Sequence, residues 1–377
     1  MLPFGRRGFL ASAAVAAALP LAAATDADAD TVQSPPGPEQ EPGPAAGCGA
    51  VPRLMAVPEH RRDVDWIRES LQIAVQLELA TIPPYLCGWW SIHDRTSQAA
   101  RLIRRVVADE MYHLGVVSNL LVAVGGRPRI MDAAMSYPGQ LPGGVRAGVT
   151  VYLSGLTKSL VHDVMMAIEA PDQPLARADA ASGIGDFYDA VLAAFRRARP
   201  ELSAEGQLAK HIGSDVLKPV ASLDDVEHAI GIVKEQGEGT TSSPADAFGD
   251  DQPAHYYAFG EIYHERRLQR VGHRWEFSGQ AIPFPSTRPM AAVPAGGWPG
   301  PSPAVRRLLG RFDGTYHAVL HHLESAWSEG DPRALNAAVH AMHGLEGPAV
   351  ELMETTRPDG PGSYGPQFRP PAARNTV

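Results

Sequence analysis

The sequence predicts an all-α protein, a four-helix bundle with an additional helical hairpin at its C-terminal end. Three observations carry that expectation. Apolar residues recur at helical spacing along most of the chain, and strand-like alternation is almost absent. Acids and histidines are embedded in those apolar runs three residues apart, a spacing that puts both on one helix face. Helix stops are explicit at Gly125-Gly126, at Pro171 and at Gly237-Glu238-Gly239.

Taken in order, residues 1–29 read as an export signal. Arg6 and Arg7 precede Gly8-Phe9-Leu10, and an Ala/Leu/Val-rich run continues to Ala24, the pattern of a twin-arginine leader. The expected location is therefore outside the cytoplasm: periplasm, cell wall or medium. The apolar run is too short for a membrane span, so no stable span is expected once the signal is removed. Residues 30–58, rich in Ala, Asp, Pro and Gly, show no periodicity and read as a disordered tether.

The metal-binding bundle is expected over 59–272. A first helix covers 63–90, with a kink or break at Pro83-Pro84. A second covers 97–124. A third spans 148–170, a shorter one 186–198, and Ser222 N-caps another that reaches residue 236. Residues 254–268 read as a further helix, rich in Tyr, Phe and His. A Pro/Gly-rich irregular link follows at 273–303. The C-terminal hairpin occupies 304–356, as helices 304–329 and 332–355, and 357–377 form an irregular tail.

The formal net charge of the 377-residue chain is −9, and no Lys/Arg-rich run interrupts its mature part, which excludes nucleic acid as a partner. The 2 cysteines, Cys48 and Cys87, can build neither a disulfide scaffold nor a cysteine zinc site. Any metal must then be held by carboxylates and imidazoles. Cys87 lies in an apolar helical run and reads as packing.

Glu110-Met111-Tyr112-His113 supplies a carboxylate and an imidazole one turn apart on a largely apolar helix, where unpaired polar groups are costly. Glu78 stands between Leu77 and Leu79 on the preceding helix. Counted outward from the connecting loop, Glu78 and Glu110 lie equally far along their helices, so an antiparallel pairing brings them level. Such inward carboxylates at one level are how helix bundles hold two metals. A second Glu-x-x-His, Glu261 and His264, is a rival partner for this pair. His317, His321, His322, His340 and His343 read as surface or packing residues of the C-terminal hairpin.

The stretch Leu77-Glu78-Leu79-Ala80-Thr81-Ile82-Pro83-Pro84-Tyr85-Leu86 resembles a signature of the ferritin-like family that includes iminophenyl-pyruvate dimer synthase. So do Asp109-Glu110-Met111-Tyr112-His113-Leu114, Asn119-Leu120-Leu121, Gly125-Gly126-Arg127-Pro128 and Ile168-Glu169-Ala170-Pro171. The resemblance continues through Gln236-Gly237-Glu238-Gly239 and His255-Tyr256, and the C-terminal Gly365-Pro366-Gln367-Phe368 is similar to stand-alone members. Ala254, where the family carries Ser, and Cys87 depart from the pattern. The resemblance implies a ferritin-like bundle and extends the metal ligands to Glu78, Glu110, His113, Glu169, Glu238 and His255. Glu238 ends its helix and His255 begins the next, so the two can meet, whereas Glu261 lies about ten Å farther along at ~1.5 Å per residue. Glu235, one turn from Glu238, remains an alternative, as do Glu261 and His264.

Together these readings imply two iron ions, with manganese as the alternative, in an oxidoreductase that activates O₂ or peroxide. The resemblance implies an amino-acid-derived or secondary metabolite as the small-molecule substrate. Tyr85, Trp89 and Tyr112 are expected to line or support the pocket. A non-catalytic metal-binding or storage protein is the competing class, and homo-oligomerisation is compatible with the sequence.

Overall fold

Two long helices dominate the computed structural model, which describes residues 49–171, 184–238, 244 and 252–370. Helix α2 (Val64–Ser91) starts at Asp63, whose carboxylate accepts from Trp66 N, and is buried over most of its length. Helix α3 (Gln98–Ala123) starts at Ser97, whose hydroxyl accepts from Ala100 N, and packs along α2. Each cap satisfies a backbone N–H that the first helical turn leaves unpaired. α3 is long and apolar enough to cross a membrane, but 83% of its most apolar window is buried inside the protein, which marks it as a core helix.

The short helix α4 (Lys158–Leu160), capped by Thr157, runs into a π-helical turn at Val161–Met166. Such turns insert an extra residue into a helix and recur at functional sites; here the turn comes just before Glu169. Helices α5 (Ile184–Ala198), α6 (Leu223–Glu238) and α7 (His255–His264) complete the bundle. Ser222 and Asp225 cap α6 reciprocally: the Ser222 hydroxyl accepts from Asp225 N, and the Asp225 carboxylate accepts from Ser222 N. Three two-stranded antiparallel hairpins are appended: β1 (Gly139–Gln140) with β2 (Thr150–Val151), β3 (Lys210–Ile212) with β4 (Asp215–Leu217), and β5 (Gln269–Val271) with β6 (Arg274–Glu276).

At the C-terminal end, α8 (Pro303–Glu329) packs on α9 (Pro332–His343) and against α3, while α10 (Glu346–Glu354) packs on α8 and α2. Asn119 ties the layers together. Its amide donates to the carbonyls of Leu208 and Lys218, and its Oδ1 accepts from Leu208 N and from Trp327 Nε1 on α8. Phe368 closes the seam, stacked on Trp90 and edge-on to Phe312 and Tyr316.

The elements depart from expectation at five places, each with a local cause. Of the kink or break expected at Pro83-Pro84, no break occurs, and α2 is one continuous helix through both prolines. Pro84 lacks the N–H that would bond Ala80 O, and that carbonyl accepts instead from the Tyr137 hydroxyl at 2.9 Å. The helix expected from 148 begins only at Lys158, because residues 150–151 pair with 139–140 as a hairpin. α7 stops at His264 because Glu265 adopts the left-handed conformation (φ 57°). The expected helix 332–355 is two helices, since Pro348 cannot donate to a carbonyl one turn back and is tolerated only in a first turn. Within the expected tether, Ala50–Met55 forms a short helix, α1, which buries Val51 and Leu54 and is held by Trp66 Nε1 donating to Leu54 O. The export signal and residues 30–48 lie outside the described residues.

Candidate metal centre

Helix α2 turns Glu78 inward, α3 turns Glu110 and His113 inward, Glu169 follows the π-helical turn and the helical residues 167–168, and His255 opens α7. All five side chains are buried. They fall into two groups that could each hold a metal ion: Glu78, Glu110 and His113, and Glu110, Glu169 and His255. Within each group the ligand atoms lie within 4.8 Å of one another. Glu110 belongs to both.

The geometry is pseudo-symmetric. His113 Nδ1 lies 3.6 Å from Glu78 Oε2 and 3.7 Å from Glu110 Oε1. His255 Nδ1 lies 2.8 Å from Glu110 Oε1 and 3.6 Å from Glu169 Oε2. Each imidazole is held from behind through its other nitrogen. His113 Nε2 is 2.7 Å from Gln236 Oε1, and His255 Nε2 is 3.3 Å from Asp109 Oδ2, which in turn meets Arg105 at 3.5 Å. Such outer partners fix which ring nitrogen carries the proton and aim the other at a metal.

The outer carboxylates are each held by a tyrosine. Tyr85 donates to Glu169 Oε1 at 2.6 Å, and Tyr188 on α5 donates to Glu78 Oε1. The Thr81 hydroxyl lies 2.8 Å from Glu110 Oε2 and from Glu78 O, and has one proton to give between them. Burial first, then the neighbouring carboxylates, push both tyrosine hydroxyls well above their usual range, so they remain proton donors.

In the metal-free protein these groups crowd together unfavourably. Burial and then the Glu169 carboxylate push Glu110 up to about 7. Burial would lower His113, but Glu78 and Glu110 outweigh it and hold the imidazole at about 9. His255 is likewise raised well above its ordinary value, burial being overcome by Asp109 behind it and by the neighbouring Glu110 and Glu169 carboxylates.

The donor set fits a metal pair. The buried Nδ1 of His255 completes no hydrogen bond with any described group, despite its proximity to two carboxylates. Beside the ligands lies a void of about 40 Å³, lined by Glu78, Thr81, Glu110, His113 and Glu169. At roughly 10–15 Å³ of such space per water, it has room for about three water-sized bodies. Oxygen and imidazole ligands of this kind suit iron or manganese.

Of the sequence-predicted ligands, the structure brings together Glu78, Glu110, His113, Glu169 and His255. The side chain of Glu238 lies outside the described residues. Its backbone ends α6 beside the site: a Cβ added to the preceding Gly237 would lie 3.5 Å from Glu169 Oε2. Glu261 and His264 belong to neither group. Glu261 Oε1 accepts from Leu268 N, and the His264 ring stacks on Phe277 at 4.4 Å. Glu235 is also in neither group, although one of its carboxylate oxygens is buried without a hydrogen bond.

Tyr85 reaches the site, but Trp89 lines a separate cleft and Tyr112 is not among the residues that line the void beside the ligands. No group of metal-binding geometry forms at the C-terminal histidines among the described residues. Sequence reasoning missed Tyr188 and the supporting roles of Thr81, Gln236 and Asp109. The last three lie inside the quoted motifs, whereas nothing near Tyr188 signals its role. Cys87 is buried and unpaired, as packing requires.

No curated protein matches the chain at a significant level. Its fold is similar to the crystal structure of a ferritin-like protein from Caulobacter vibrioides, with a TM-score of 0.57 and 22% identity, over 80% of this chain and 97% of that one. The sequence pattern described as ferritin-like matches residues 71–264, from the third turn of α2 to the end of α7 and so over more than half of the chain. The chain belongs to the ferritin-like family.

Proposed function

We propose that this protein is an exported dinuclear metal protein, with iron as the metal, that activates O₂ or peroxide to oxidise a small amino-acid-derived or secondary metabolite. The observation that carries the reading is the position of Glu110, whose carboxylate is shared by two buried ligand groups. Glu78 and His113 serve one ion, Glu169 and His255 the other, and Glu238 is the sixth ligand.

Charge supports both the pair and the sixth ligand. Three buried glutamates against two divalent ions leave one positive charge, and a fourth carboxylate makes the site neutral. Buried charge persists only when compensated in this way. When bound, the metal pair supplies one-electron chemistry toward O₂ or peroxide. The chain's own contribution is to hold the carboxylates through Tyr85, Tyr188 and Thr81, to fix both imidazoles, and to exclude bulk water.

The size of the void favours a second reading in one respect. Among the described residues it admits ions and a diatomic or peroxide but no metabolite, as a metal-storing protein would require. Anaerobic loading with Fe(II), followed by an O₂-consumption assay, separates the two. Catalysis predicts two irons per chain and continued O₂ uptake with an electron donor; storage predicts uptake that stops when the loaded iron is oxidised. One zinc per chain, unchanged by Glu110→Ala, would sink both.

Export rests on Arg6-Arg7-Gly8-Phe9-Leu10. An Arg6→Lys, Arg7→Lys chain should stay in the cytoplasm, and unchanged secretion of that chain would refute the assignment.

A further inference from the structure

A second cavity, which contains none of the metal-ligand candidates in its lining but reaches Asp109 behind His255, lies between α2 and α3 on one side and the C-terminal helices on the other. Its volume is about 970 Å³, at the upper end of small-molecule sites. One wall lies on elements outside the ferritin-like match: α8 contributes Leu320, Leu323 and Trp327, and α9 contributes Leu335, Val339 and Met342. The facing wall comes from α2 and α3, with Leu79, Leu86, Trp90 and Leu114.

The charges on this cavity are not balanced. Its two acids are already engaged, Asp109 with Arg105 and His255, and Glu346 with Arg95. Among the described residues, three further cations form no salt bridge. Arg101 bonds the Thr96 carbonyl and the Gln98 amide oxygen and otherwise feels exposed Asp94 at longer range, Lys210 bonds the Asn336 amide oxygen, and exposed Arg104 makes no hydrogen bond or ion pair with any described residue. This cationic rim stands on a chain whose net charge is −9, so it is a local reversal of the protein's overall field.

We propose that this cleft binds a free amphipathic organic acid. Its apolar body lies against Leu86, Trp327 and Val339, and its carboxylate lies at the rim formed by Arg101, Arg104 and Lys210. The apolar walls gain from covering hydrocarbon or aromatic surface, while the guanidinium pair, one turn apart on α3, offers forked donors to a planar anion. A neutral or cationic amphiphile would satisfy the walls and leave the rim unpaired.

Dodecanoate, dodecanol and dodecyltrimethylammonium titrated into the full chain by calorimetry test the proposal. The expected result is saturable binding of one dodecanoate per chain, with dodecanol weaker by about tenfold, the order expected for losing hydrogen bonds to a charged group. Arg101→Glu with Arg104→Glu, both at the surface, should leave the melting temperature unchanged and weaken dodecanoate by a similar factor. The same double change should favour dodecyltrimethylammonium. Val339→Trp, at a half-buried position, should block dodecanoate and dodecanol alike by filling the cleft. Equal binding of dodecanoate and dodecanol, no saturable heat, or indifference to the charge reversal would overturn the proposal. So would a dimer in light scattering that the charge reversal dissociates, which would assign the cleft to a second copy.

Discussion

Oε1 of Glu110 lies 2.8 Å from Nδ1 of His255, although α3 and α7 are separated in the chain by α4, α5 and α6. The same oxygen faces His113 Nδ1 at 3.7 Å. One carboxylate thus stands between two imidazoles that are each anchored from behind, so its loss should be felt on both sides.

Glu110→Ala is therefore expected to reduce bound metal from about two ions per chain to well below one, whereas Glu78→Ala should leave about one, since it removes a ligand from a single group. Elemental analysis of the purified variants measures this. Identical metal content in the two variants would argue against a shared carboxylate.

His255→Ala should remove or halve the bound metal, and His264→Ala should keep it. The first imidazole aims an unpaired Nδ1 at two carboxylates, while the second stacks on Phe277. Metal lost from His264→Ala and retained by His255→Ala would overturn the assignment of α7 to the site through its first residue.

Metal binding should strengthen as pH rises, because protons compete for the ligand atoms. Glu110, at about 7, and His113, at about 9, must give up their protons to ligate. Between pH 7 and 9 the protonated imidazoles are the competitors; below 7 a proton on Glu110 joins them, and affinity falls more steeply. Each competing proton contributes about tenfold per pH unit. Competition titrations with a chelator at pH 6, 7, 8 and 9 follow this, and a flat profile would show that these groups are not ligands.

Tyr85→Phe deletes the 2.6 Å bond to Glu169 and leaves a buried carboxylate oxygen without its donor. The metal-stripped variant should lose about 1–3 kcal/mol of stability in denaturant unfolding. Metal binding should persist, since the tyrosine holds the carboxylate and is not itself among the ligands. An unchanged unfolding midpoint would mean that Glu169 finds another partner.

Asp109→Ala frees the rear of His255 and should weaken metal binding by roughly 10–100-fold, the usual effect of removing an imidazole's outer partner. Val107→Ala, another buried change on α3, serves as the control that loses stability without losing affinity.

Much of this was legible in the residues because it depends on local spacing. Ser222 announces a helix start by offering an oxygen to an unpaired N–H, and α2, α3, α6 and α8 begin within a residue or two of their expected starts. Glu78 and Glu110 came level because both lie the same number of helical residues from one short turn. Where the outcome hung on a distant partner, local reading failed. The unbroken course of α2 through Pro83-Pro84 depends on Tyr137, which caps the freed carbonyl from elsewhere in the chain. The hairpin over 139–151 displaced a helix because strand pairing there competes with helical propensity that is weak around Gly148.

By itself, then, the sequence determined the helical class, the main helices, and which acids and imidazoles were too costly to bury without a counter-charge. Tertiary structure decided how they were grouped: Glu110 between two imidazoles, Tyr188 on Glu78, Gln236 behind His113, Asp109 behind His255. Helix periodicity fixes which face a side chain occupies, but the partner across a bundle is set by packing between segments far apart in the chain, and no spacing along the sequence encodes that distance.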